Sequence, residues 1–202
     1  MKYNPNVIIA VFIVLLIFSG FYIYNQKSEV NQLQLLNHQT LNEKIDLSMV
    51  QEYRDAEINL NGKSLAGQLK VSDEKGNPVN FEEMIDGCKL ILYFSEFNCD
   101  ICLEDAFNNL NSQIDSIGYE NVAVLIDAEN KRFVKQYKTN HNIKYKCFEV
   151  EKKPDGIFSS SLPFFFIVEK EKARINSAYI PQKEKPEDTK RYLRKIISDY
   201  FS

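Results

Sequence analysis

Hydrophobic and polar positions along this chain fall into regions of different rhythm. The first is a continuous apolar run. Val7 to Tyr24, "VIIAVFIVLLIFSGFYIY", contains no charge, and Ser19 and Gly20 are its small or polar interruptions. Its 18 residues rise about 27 Å as a helix, roughly one hydrocarbon core. Tyr22 and Tyr24 would stand at the interface and Lys27 beyond it. Residues 1–27 therefore read as an uncleaved membrane anchor. A cleaved signal peptide with Val7–Phe18 as its apolar region competes with this, although no A-x-A-like site follows; a buried core helix is a third reading. Lys2, Lys27 and Lys44 barely orient the span, but a short leading tail before a long domain favours export of the C-terminal part.

In residues 28–56 the apolar positions thin to Val30, Leu33, Leu36, Leu41, Ile45 and Met49. Spacings of three to five suit an amphipathic helix, here a spacer; no sustained heptad supports a coiled coil. From Glu57 to the C-terminus the pattern becomes that of a globular domain. "DEKGNP" supplies a turn between Leu69–Val71 and Val79–Phe81, predicting a β-hairpin among short alternating stretches. "EEMIDG" suits a short helix. "CKLILYFSEF" is near-continuously apolar, as in a strand covered on both faces. A helix from about Cys99 to Ile117 would place Cys102, Ala106, Phe107, Leu110 and Ile114 on one face and stop at Gly118. "NVAVLID", "IKYKCFEV", "LPFFFIVEK" and "ARINSAYI" read as strands, and "PDGIFSSS" as a loop. "ENKRFVKQYKTNH" is a helix with Phe133, Val134 and Tyr137 inward. "KPEDTKRYLRKIISDYF" is a closing helix, with Pro186 at its start and Glu187 and Asp188 at its positive end. Strands alternating with helices predict an α/β fold with a partly parallel, mixed β-sheet flanked by helices.

Composition narrows the classes. The chain has 202 residues, 44% of them hydrophobic, enough for one sizeable core plus accessory segments. Net charge is −3 and no basic stripe stands out, which argues against nucleic acid as a partner. There is no phosphate-binding glycine loop, no H-E-x-x-H and no internal repeat.

The candidate chemistry lies in "ILYFSEFNCDICLEDAFNNL". Cys99 and Cys102 form a C-x-x-C where an apolar strand ends and a helix begins. A helix start carries unpaired amides and partial positive charge, which favour a thiolate. Two residues of separation let the second sulfur reach the first. A redox dithiol is the leading reading. Half of a zinc site would need a second close pair, which Cys88, Cys147, His38 and His141 do not form. A structural bridge would close a tiny loop and constrain little. Cys88 and Cys147 read as buried thiols, with a second disulfide open outside the cytosol. His38 and His141 read as surface residues. Phe164–Phe166, Tyr93, Phe94 and Phe97 read mostly as core, with Phe97 a candidate shield for the dithiol.

From about Glu57 onward the chain resembles the thioredoxin-like superfamily, most nearly its membrane-anchored TlpA-like thiol–disulfide oxidoreductases. "YFSEFNCDICLED" stands for the family's strand–C-x-x-C–helix, and "SLPFFFIVEK" for its later segment in which a proline begins a strand. The hairpin and anchor match as well. The resemblance implies that Cys99 attacks, Cys102 resolves and Pro163 is a cis-proline packed against the pair. It makes Leu162 a backbone contact for substrate, beside Asp100 and Ile101 of the motif, and Asp105 an acceptor for the Cys102 proton. Asp105 equally reads as a solvated first-turn acid. Asn98, Asp100 and Ile101 depart from the family's usual Trp before the motif and Pro within it. Asp100 opposes the helix end and implies a poor oxidant, nearer a reductase.

The expected function is thus a tethered oxidoreductase that exchanges or reduces protein disulfides outside the cytoplasm, in the periplasm if the host is Gram-negative. It needs no bound cofactor or metal, and needs a recycling partner such as a membrane electron donor. A redox-inactive thioredoxin-like interaction module is one alternative. A peroxiredoxin-like peroxidase is the other, but the Pro and Thr or Ser of that signature are replaced by Leu92 and Glu96.

Overall fold

The structure is a computed structural model. It describes residues 19, 22, 26–27, 36, 40, 44 and 47–202, apart from 99, 142, 155, 159–161 and 183–184. Most of the expected anchor and of the spacer, with His38 and Cys99, lies outside the described residues. Among those described, no helix is long and apolar enough to cross a membrane. The chain divides into two compact units, Met1–Glu52 and Tyr53–Ser202. Described residues of the first are helical.

The second unit opens with helical residues 53–60, where alternating β stretches were expected from Glu57. Tyr53, Ala56 and Leu60 pack on the core. Their spacing is that of one helix face, which explains why this stretch is not a strand. A hairpin follows, β1 (Lys70–Ser72) and β2 (Pro78–Asn80), with Val71 opposite Val79. Its turn is tied by the Asp73 carboxylate, which accepts the amides of Lys75 and Asn77 at 2.8 Å.

The remaining elements are α1 (Phe81–Met84), β3 (Cys88–Ser95), α2 (Asp100–Asn111), α3 (Ile114–Ile117), β4 (Val122–Asp127), α4 (Lys131–Asn140), β5 (Lys146–Lys152), β6 (Phe164–Glu169), β7 (Ile175–Tyr179) and α5 (Pro186–Ile196). They build one seven-stranded sheet in the order β2-β1-β5-β4-β3-β6-β7. The pairs β3–β4 and β4–β5 are parallel, and the others antiparallel. This is the mixed sheet the pattern predicts.

Alternate residues of β3 serve two cores. Leu90, Leu92 and Phe94 join residues of α2 to α5, while Ile91 and Tyr93 join Leu60, α1, Phe158 and Ile180 on the opposite face. Both faces are buried, hence the unbroken apolar run. The helix expected through Ile117 is interrupted after Asn111. Asn109 Nδ2 donates to the Asp105 carbonyl at 2.9 Å and Ser112 Oγ to the Asn109 carbonyl at 2.7 Å. Such side chains compete with the helical ladder. Gly118, at φ 86°, ends the second piece.

Candidate active site

β3, an interior strand between β4 and β6, delivers the chain to the edge of the sheet formed by the C-terminal ends of β3 and β4. Ser95, its last residue, stands opposite Asp127 at the end of β4, and the Glu96 amide donates to the Asp127 carbonyl at 3.0 Å. The chain then turns on itself. Asn98 Oδ1 accepts the Ser95 amide at 2.7 Å, and the Asn98 amide donates to the Ser95 carbonyl at 3.0 Å. Asn98 is buried and Phe97 is 76% exposed at the tip. Phe97 is therefore not core as expected: the Asn98 turn takes the inward position and lifts the phenyl ring out.

α2 begins at Asp100, directly after Cys99. Asp100 and Glu104 are exposed and Ile101 is 60% exposed. Cys102 is half-buried in the first turn, followed by Leu103, which is fully buried. A thiol here lies against the amide-rich positive end of a three-turn helix. Asp105 is half-buried one turn further in.

β6 reaches the same edge from the other direction. Tyr93 stands opposite Phe164 in the antiparallel β3–β6 pair, so Pro163 and Leu162 continue alongside Phe94 and Ser95. Pro163 is buried, and half-buried Leu162 packs on the core of the Tyr93 face. No peptide bond among the described residues is cis, so Leu162–Pro163 is trans, correcting the cis expectation. An X–Pro bond stays trans unless its surroundings enforce the alternative. One edge of the sheet thus gathers Asp100, Ile101, Cys102 and Asp105 on α2 with Leu162 and Pro163 before β6.

Further groups at this edge carry no sequence signal. The Tyr93 hydroxyl donates to Asp127 Oδ2 at 2.8 Å, and Lys153 Nζ pairs with the same oxygen at 2.5 Å. Burial and the Asp127 hydrogen bond hold the Tyr93 phenol well above its usual range. Tyr137 on α4 rests against Phe94 and Phe107 and stacks on His141, ring centroids 4.2 Å apart. Its buried hydroxyl has no hydrogen-bond partner among the described residues. Burial first, and then the Asp100 and Glu104 carboxylates, push that phenol up.

Cys88 and Cys147 stand apart from this edge. Cys147 pairs with Val124, Val124 with Leu92, and Cys88 is four residues before Leu92. Strand spacings put their Cα atoms about 16 Å apart. A disulfide needs less than about 7 Å. Both are free thiols, Cys147 buried as expected and Cys88 half-buried.

The parallel β3–α2–β4 unit, the antiparallel β6–β7 pair, the closing helix α5 and a C-x-x-C at the β3–α2 junction are now all in place. The fold is thioredoxin-like. No family model and no curated protein matches the chain. Similar solved structures include the thioredoxin domain of a thiol-disulfide oxidoreductase from Bacteroides vulgatus (13% identity, 68% of this chain and 97% of that one, TM-score 0.48). A thioredoxin-like protein from Porphyromonas gingivalis is 17% identical over 69% of this chain and 94% of its own, with a TM-score of 0.46. Yeast Sco1 is 14% identical over 70% of this chain and 99% of its own, with a TM-score of 0.49.

Proposed function

We propose that this protein is a TlpA-like thiol–disulfide oxidoreductase, held to a membrane by residues 1–27 with its second unit outside the cytoplasm, and reducing or exchanging protein disulfides. The observation that carries the reading is the position of Cys102. It is half-buried in the first turn of α2, at the sheet edge where β3 ends and Pro163 leads into β6.

The Cys99 thiolate attacks one sulfur of the substrate disulfide, and the other sulfur leaves as a thiolate that takes up a proton. Cys102, losing its proton, attacks Cys99, frees the second substrate thiol and closes the Cys99–Cys102 bond. Two electrons pass to the substrate. Asp105 is the proposed acceptor for the Cys102 proton. The Leu162 backbone, with Asp100 and Ile101, is proposed to meet the substrate strand, beside Pro163. A membrane electron donor returns the pair to the dithiol, and no bound cofactor enters the cycle.

The test uses the full chain in detergent micelles with a dithiol donor and an uncharged small disulfide as substrate. Reduction that disappears in Cys99→Ser and in Cys102→Ser supports the reading. Reduction unchanged in both, or absent from the native protein, overturns it. The second outcome leaves an interaction module.

A further inference from the structure

Resting on the oxidoreductase reading, we infer that its substrate disulfide lies in a cationic segment with an apolar residue beside the cysteine. The surface around the motif supplies both halves of that complementarity.

The apolar half is Phe97 and Ile101. They are 76% and 60% exposed, and they stand two residues either side of Cys99 in the sequence. In a unit that otherwise covers its large apolar side chains well, only Ile58 is comparably exposed among the described residues, with Tyr119 less so. The loop that carries Phe97 is not a loose one. The two Ser95–Asn98 hydrogen bonds fix the turn beneath it. An apolar residue on a pre-formed turn binds at lower entropic cost than one whose backbone must also be ordered.

The charged half is written along the chain. Residues 90–130 contain no Lys, Arg or His but eight acids: Glu96, Asp100, Glu104, Asp105, Asp115, Glu120, Asp127 and Glu129. The next basic residue is Lys131, which opens α4. Asp127 is paired with Lys153. Asp100 and Glu104 are exposed one turn apart on α2, with Ile101 between them in sequence, and neither joins an ion pair among the described residues. Glu96, at the foot of the Phe97 turn, keeps a carboxylate that accepts the Glu129 amide at 3.2 Å. Glu96, Asp100, Glu104 and Asp105 thus put a local negative field next to the motif on a protein whose net charge is only −3; Asp127 is answered by Lys153, and Asp115 and Glu120 lie towards the other end of β3 and β4. Such a field speeds the encounter with positive partners and slows it with negative ones.

The inference is tested with the full chain, reduced, against synthetic peptides whose single cysteine is joined by a disulfide to thionitrobenzoate. Cys99 attacks the peptide sulfur, coloured thionitrobenzoate leaves, and Cys102 then displaces the peptide thiol. One peptide carries Leu beside Cys with flanking Lys, a second the same Leu with flanking Glu, and a third Gly in place of Leu with flanking Lys. At low salt the Lys–Leu peptide is expected to react roughly tenfold faster than the Glu–Leu peptide, with the ratio falling towards one near 1 M salt, where screening reaches about 3 Å. The ratio should also collapse in the double variant Asp100→Asn, Glu104→Gln, and Phe97→Ser should narrow the Leu-over-Gly preference. Equal rates for the Lys and Glu peptides at low salt, or a ratio untouched by salt and by the double variant, overturn the inference. The uncharged small disulfide separates the two levels. If it is reduced while the peptides show no charge preference, the substrate inference alone fails. If it is not reduced, the oxidoreductase reading fails with it.

Discussion

The side chain of Asn98 accepts the backbone amide of Ser95 at 2.7 Å, and its own amide returns to the Ser95 carbonyl at 3.0 Å. A buried polar residue thereby closes the turn between the end of β3 and the first cysteine. Asn98→Ala leaves the Ser95 amide short of its acceptor inside the protein, at a cost of about 1–3 kcal/mol. Asn98→Asp keeps an acceptor oxygen. Denaturant unfolding should show the Ala variant destabilised by that order and the Asp variant much less, with disulfide-reduction rates falling in the same sequence. An Ala variant as stable and active as the native protein would show that the turn is held by other contacts.

Burial pushes the Cys147 thiol up to about 12. Its Sγ donates to the Tyr145 carbonyl at 3.6 Å. The folded pKa lies above the unfolded one, so the unfolded chain loses this proton first as pH rises. The contribution is fully present below the unfolded value, near 9, and is lost as pH climbs towards 12. Between these limits the native protein should lose stability with pH more steeply than Cys147→Ala, by up to about 1.4 kcal/mol per pH unit. Parallel stability–pH curves for the two proteins would contradict the assignment. Cys88, pushed up to about 11 mainly by burial, should resist alkylation near neutral pH in the folded protein, and neither Cys88→Ser nor Cys147→Ser should abolish turnover.

Asp100 places a negative charge beside Cys99 in sequence, against the favourable helix end. Asp100→Asn should stabilise the thiolate and raise the reduction potential, by on the order of 10–30 mV. Equilibration with glutathione buffers measures this. A potential that falls, or a native value already at the strongly oxidising extreme of about −120 mV, would contradict the poor-oxidant expectation.

Local signals gave away the elements that local chemistry decides. The Asp73 turn specified the hairpin, and β3 and β6 announced burial on both faces through unbroken apolar runs. Other features were decided by contacts that residue type and periodicity do not record. Residues 57–60 are helical because the Tyr53–Ala56–Leu60 face docks on the core, which an alternating texture concealed. The Tyr93–Asp127–Lys153 cluster joins positions far apart in the chain, so no motif records it. Phe97 reads as core by residue type and is exposed because Asn98, polar by type, takes the inward place. The Leu162–Pro163 geometry belongs to the same class: proline identity fixes one torsion, while its isomer depends on what packs around it.

The central claim is that Cys99 attacks and Cys102 resolves, and covalent trapping tests it most directly. The full chain is expressed in its host as Cys99→Ser and as Cys102→Ser, thiols are quenched with acid, and disulfide-linked partners are sought on non-reducing gels. The account predicts that Cys102→Ser accumulates mixed disulfides at Cys99, because no neighbouring sulfur can release them, and that Cys99→Ser accumulates few. Trapping by Cys99→Ser alone would invert the roles, and trapping by neither would contradict disulfide exchange at this site.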